Sequence, residues 1–223
     1  MSFGVDHYRP EVRSQVITGA DGCTGAPYDL ASEIWHADAH STTSKGEDTR
    51  VTHQESLVSV VIPTLHRPHL VTRAVNSALK QNLLSIEVIV VLDGPDGETL
   101  DTLHNIQDSR VRILSLPQHC GLGGARNAGV GEARSPWIAF LDDDDEWFPQ
   151  KIEIQLQAAQ HSLYHFPIIS CHMIVRSEGG DVVWPRRVLR PNESMSEYLF
   201  CRSSIFSGEG IIGANTIFAR KEL

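Results

Sequence analysis

Leu57-Val58-Ser59-Val60-Val61-Ile62-Pro63 and Ile86-Glu87-Val88-Ile89-Val90-Val91-Leu92 bracket a segment in which Leu70, Val71, Ala74, Val75, Ala78 and Leu79 recur at helical spacing. Both flanking runs have strand length and are rich in β-branched residues, with almost no polar alternation. That is the pattern of strands covered on both faces, as in parallel sheets. The three pieces together predict a β-α-β unit, closed by Asp93-Gly94-Pro95, where a turn must follow.

The same rhythm continues outward from this unit. A short helix is expected from about Glu98 to Ile106, a strand from Val111 to Leu116, a glycine-rich turn at Gly121-Leu122-Gly123-Gly124, a helix through Ala133 and a strand from Trp137 to Leu141. Strands alternating with helices predict an α/β, Rossmann-like domain, its mostly parallel sheet flanked by helices, over residues 56–165. Pro149 is expected to open a helix carrying Ile152, Leu156 and Ala159 on one face. Beyond it the pattern changes. Ile168 to Val175 and Val182 to Trp184, separated by Glu178-Gly179-Gly180, read as a hairpin or antiparallel edge, and Thr216 to Ala219 as a last strand. Residues 166–223 are therefore a partial antiparallel C-terminal part. Residues 1–55, rich in Ser, Thr, Gly, Asp and His, read as a polar extension, loosely ordered or docked on the domain.

Composition narrows the function classes. With 41% hydrophobic and 21% charged residues among 223, the chain is an ordinary globular one. Its 28 acidic against 19 basic residues, a formal charge of −9, argue against a nucleic-acid partner. No apolar run approaches the roughly 18 residues of a transmembrane segment, and the first residues lack the basic-then-apolar order of a signal peptide, so a cytoplasmic protein is expected. Cys23, Cys120, Cys171 and Cys201 are scattered without a Cys-x-x-Cys pair and are expected to be free thiols.

In open α/β sheets ligands bind beyond the carboxyl ends of the strands. Pro63-Thr64, Asp93, the Gly121 to Asn127 loop and Asp142 to Asp145 all occupy such ends, so four strand exits face one rim. Asp142-Asp143-Asp144-Asp145 is the strongest signal. Adjacent carboxylates repel one another unless a cation neutralises them, and oxygen ligands suit Mg2+ or Mn2+ with a diphosphate completing the shell. The other reading is a solvated acidic turn at the start of the next helix. Gly124, Arg126 and Asn127 lie where a helix N-terminus can meet phosphate; the same glycines also serve a tight turn and close helix packing. Asp93 is placed to accept from a ribose hydroxyl or a base N–H, or else it is a turn aspartate. Thr64 and Arg67 can reach a base or phosphate, with Arg67 reading equally as a surface cation. The 11 histidines offer no metal-spaced pair on this rim and are taken as surface or core residues, with His172 in reserve.

Val58-Ser59-Val60-Val61-Ile62-Pro63-Thr64, Val88 to Gly94, Gly124-Ala125-Arg126-Asn127-Ala128-Gly129 and Ile138 to Trp147, in that order and spacing, resemble the family-2 glycosyltransferases of the GT-A fold. The resemblance spans roughly residues 56 to 160. It implies a metal-dependent transfer of a sugar, with inversion, from a nucleotide-diphosphate donor, most simply a UDP-sugar, to an unidentified acceptor that is a saccharide, a lipid-linked molecule or a small molecule. Pro63, Thr64, Arg67, Asp93, Gly124, Arg126, Asn127, Asp142 and Asp143 would surround the donor. Asp142-x-Asp144 would be the family's Asp-x-Asp motif, with Asp142 and Asp144 holding Mn2+ or Mg2+. Two departures stand out. Leu92 replaces the first of two aspartates common after the second strand. The family's catalytic base comes from a later acidic motif, beyond a segment like Thr216 to Leu223, so the expectation is a truncated acceptor half, or Glu209 as a substitute base. Two alternatives remain open: a nucleotide-sugar-binding module without turnover, and a Mg2+-dependent nucleotidyltransferase using the same acidic rim.

Overall fold

The computed structural model describes residues 12–15 (backbone only), 56–190, 192–201 and 210–223, all within one compact unit. In chain order the elements are β1 (Val12–Gln15), β2 (Val58–Thr64), α1 (Pro68–Leu79), β3 (Ile86–Leu92), α2 (Gly97–His104), β4 (Val111–Ser115), α3 (Gly121–Glu132) and β5 (Trp137–Phe140). They continue with β6 (Asp145–Trp147), α4 (Lys151–Gln160), β7 (Ile168–Ile169), β8 (His172–Val175), β9 (Val182–Trp184), α5 (Met195–Phe200), a 3-10 turn (Ala214–Thr216) and β10 (Phe218–Arg220).

The main sheet has six strands in the order β4-β3-β2-β5-β10-β7. Strands β4, β3, β2 and β5 are mutually parallel, and β10 runs antiparallel between β5 and β7. The expected mixed α/β sheet is therefore present. Every residue of β2 and β3 is buried, which explains why neither strand alternates polar with apolar. Val58, Val60, Ile62, Val88 and Val90 pack with α1 and α4 on one face, while Val61, Ile89 and Val91 pack with Ala125 of α3 on the other. A second sheet has the order β6-β1-β8-β9. Among the described residues no helix is long and apolar enough to cross a membrane.

Four expectations are corrected in detail. Gly121 to Gly124 form the first turn of α3 and not a loop ahead of it. Helix α4 begins at Lys151, two residues after Pro149. Ile168 to Val175 divides between sheets, because β7 joins β10 while β8 pairs with β9, in the hairpin register Met173↔Trp184. Thr216 belongs to the 3-10 turn, so the last strand starts at Phe218. The polar β1 was not expected as a strand; it gains its pairing from β6 and β8 on either side. The remainder of residues 1–55 lies outside the described residues.

Helix α3 packs on the sheet through Ala125, Ala128 and Val130 and through one bare position. A Cβ at Gly129 would overlap Val61 Cγ1 and lie 3.0 Å from Val91 Cγ2. The helix reaches β2 and β3 because this position is bare. Gly129→Ala is expected to destabilise the fold by about 1–3 kcal/mol, the usual range for overpacking a filled core, despite alanine's better helix propensity. Urea denaturation followed by circular dichroism measures it; an unchanged or raised midpoint would contradict this packing.

Candidate functional site

The parallel strands deliver their carboxyl ends to one cavity of about 340 Å³, within the size range of small-molecule sites. Pro63, Thr64 and Arg67 come from the end of β2, Asp93 from β3, His119, Leu122 and Ala125 from the β4–α3 connection and α3, and Asp142, Asp143 and Asp144 from β5. The four exits picked out from the sequence thus converge.

The acidic turn alternates in direction. Asp143 and Asp145 are buried, with 6% and 4% of their surface exposed, whereas the side chains of Asp142 and Asp144 are 31% and 26% exposed. Asp143 is a tether: its Oδ2 accepts from Thr64 Oγ1 at 2.7 Å and its Oδ1 from Arg67 Nη1 at 2.9 Å. Arg67 also reaches Asp144 Oδ2 at 3.4 Å. Arg126 Nη2 donates to Asp142 Oδ1 at 2.5 Å. Arginine charge therefore already offsets part of the carboxylate repulsion. Burial raises the Asp143 carboxyl above its ordinary range against the pull of Thr64 and Arg67. Burial, reinforced by the three neighbouring aspartates, carries Asp145 up to about 7.

Arg67 owes its place to the start of α1. It is the N-cap residue, followed by Pro68 in the first turn, and its carbonyl accepts Val71 N–H at 3.0 Å. Its guanidinium is thus anchored by a helix end beside the turn it neutralises.

Asp93 is 5% exposed and doubly engaged. Its Oδ1 accepts Cys120 N–H at 2.7 Å, at the N-cap of α3 where negative charge is favourable, and its Oδ2 lies 2.8 Å from His119 Nδ1. A carboxylate has about four acceptor positions, so lone pairs remain for a hydroxyl or base N–H. Gly94, at φ +120, lets the chain turn immediately behind it, with the His119 backbone nitrogen 3.2 Å from where a Cβ would stand.

Not every expected site residue lines the cavity. Arg126 acts on it through Asp142. Gly124 is not among its lining residues and packs on Cys120, whose Cβ would be 2.7 Å from an added Cβ, and Asn127 is exposed on α3. His172 starts β8, away from the cavity lining, while Glu209 lies outside the described residues. His119, taken with the other histidines as a surface or core residue, is the correction: it sits on the rim against Asp93. Its signal in the sequence was position alone, just past the fourth strand and ahead of Gly121.

Among the described residues no three His, Cys, Asp or Glu side chains gather as a ready-made metal cage. The donor set nevertheless fits Mg2+ or Mn2+ chemically. Asp142 and Asp144 supply two carboxylates beside an open cavity, and such ions commonly take one or two, completing the shell with water and phosphate oxygens.

The fold and site thus define a mostly parallel α/β domain with an acid-rimmed cavity at the carboxyl edge of its sheet. Residues 59–218 match the family model described as Glycosyl transferase family 2, and the chain belongs to that family. Among curated relatives, the succinoglycan biosynthesis protein ExoO of Rhizobium meliloti (strain 1021) is 39% identical over 102 residues, covering 46% of this chain and 29% of that protein. The UDP-Glc:alpha-D-GlcNAc-diphosphoundecaprenol beta-1,3-glucosyltransferase WfgD of Escherichia coli is 34% identical over 100 residues, covering 45% of this chain and 40% of that protein. The chain thus spans less than half the length of either relative. Residues 1–349 of S. aureus TarS in complex with UDP align at 25% identity and a TM-score of 0.44, over 50% of this chain and 34% of that one.

Proposed function

We infer that this chain binds a nucleotide-diphosphate sugar, in the first instance a UDP-sugar, and serves the transfer of its sugar to an acceptor hydroxyl with inversion. The observation that carries this reading is the convergence of four strand exits on one cavity where two half-exposed carboxylates stand beside Arg67. In it, Pro63 and Thr64 flank the nucleoside, Asp93 accepts from ribose or base, and Arg67 adds positive charge toward the diphosphate. Asp142 and Asp144 hold Mn2+ or Mg2+, which when bound would offset the diphosphate's negative charge as the sugar–phosphate bond breaks. Asp143 and Arg126 keep those two carboxylates in place. The UDP-Glc donor in the name of the E. coli relative supports uridine as the base.

Titration calorimetry with UDP, GDP and dTDP, each with and without Mn2+, tests the reading. UDP is expected to bind tightest and at least tenfold more tightly with Mn2+, about 1.4 kcal/mol. No binding of any nucleotide by folded protein would overturn it, and pyrophosphate release from a nucleoside triphosphate would favour a nucleotidyltransferase instead.

A further inference from the structure

The acidic turn is gripped from its far side by a buried polar network. Asn215 Nδ2 donates to Asp145 Oδ2 across 70 positions of sequence. Both side chains are buried, and Asn215 belongs to the 3-10 turn Ala214–Thr216. The carbonyl of Thr216, in the same turn, accepts from Gln155 Nε2 at 2.9 Å. Gln155 Oε1 accepts from Lys151 Nζ at 2.7 Å, and that ammonium stands 4.0 Å over the Trp147 ring. One C-terminal turn therefore holds β6 at both ends: Asp145 directly, and Trp147 through Gln155 and Lys151.

Buried polar groups are costly unless partnered, so such a network tolerates few other arrangements. The Asn215 amide is further restrained by Gly213, where a Cβ would overlap its Oδ1. Its grip reaches the cavity by a short route. Asp145 N–H donates to the Asp142 carbonyl at 3.1 Å, closing the turn from which Asp142 and Asp144 project. Four carboxyls in succession crowd this turn, and Arg67 and Arg126 reach only Asp142, Asp143 and Asp144.

We propose that Asn215 is a positioning residue which, through Asp145, sets the placement of Asp142 and Asp144, so that the C-terminal turn tunes the affinity for metal-bound nucleotide. This rests on the donor-binding reading above. It assigns to Asn215 no contact with donor or metal.

Calorimetry of UDP with and without Mn2+ on Asn215→Ala is the test. The Mn2+-dependent gain in affinity is expected to fall about tenfold while metal-free affinity stays within threefold, since Pro63, Thr64, Arg67 and Asp93 are untouched. A general loss of structure would lower both. Asp145→Ala is expected to behave alike, and the double variant to be no worse than the more affected single one, as for residues acting through one bond. Asn215→Ser, which keeps a shorter donor, guards against an unfolded alanine variant and is expected to lose part of the gain. A Mn2+ gain within twofold of the parent in Asn215→Ala or Asn215→Ser, or additive losses in the double variant, would overturn the proposal. Failure of the parent chain to bind UDP at all would instead defeat the donor-binding reading.

Discussion

Asp144→Asn is expected to weaken Mn2+-dependent UDP binding about 100-fold, about 2.7 kcal/mol, and to leave the metal-free affinity within threefold. The side chain is 26% exposed and lines the cavity, so it is available to a cation in a way that its buried neighbours are not. Asparagine keeps the size and one oxygen but loses the charge that makes a carboxylate a strong ligand for hard cations. The fold should not suffer, because the substitution removes a negative charge beside three other carboxyls and Arg67 retains Asp143 at 2.9 Å. A thermal melt run beside the titration separates the effects. Undiminished Mn2+ dependence in the variant would remove Asp144 from the metal site.

Lys151 is expected to make stability depend strongly on pH at alkaline values. Its side chain is fully buried, and burial lowers its pKa from 10.5 to about 8. Between those values the unfolded chain binds more protons than the folded one, so the contribution of this residue to stability rises with pH across the window. Below about pH 8 both states are protonated and the full cost of burying the charge is present, on the order of 3 kcal/mol. In Lys151→Met the cost is absent at every pH. The stability of the parent minus that of the variant, from urea denaturation, is therefore expected to increase by up to about 3 kcal/mol from pH 7 to pH 10.5. A flat difference would mean that Gln155 and the Trp147 ring solvate the ammonium well enough to hold its ordinary pKa.

The central β-α-β unit was legible because a buried parallel strand has no polar face to disguise it: Val58 to Ile62 and Ile86 to Leu92 are apolar or β-branched nearly throughout. Glu87 within the second run is the exception. Burial raises its pKa, but Ser59, the Arg134 backbone N–H and Arg112 together bring it below the ordinary value, so the charge is fully partnered inside the sheet. Those partners lie 25 to 47 positions away, beyond any local pattern. The glycine-rich stretch was legible as a helix approach but not as helix, because glycine's low propensity is overridden only when Gly129 meets Val61 and Val91.

The sequence alone determined the α/β order of elements, the edge of the sheet at which the site lies and the residue types on its rim. These follow from hydrophobic period and from residues immediately after a strand, both local properties. Only the tertiary structure decided how the aspartates of the acidic turn divide, since Asp143 and Asp145 are buried against Thr64, Arg67 and Asn215 while Asp142 and Asp144 stay more exposed. It likewise placed His119 on Asp93 and tied the turn to a segment 70 residues downstream. The reason is physical: four identical residues carry no directional information, and their directions are set by donors and acceptors that folding alone brings within hydrogen-bonding reach.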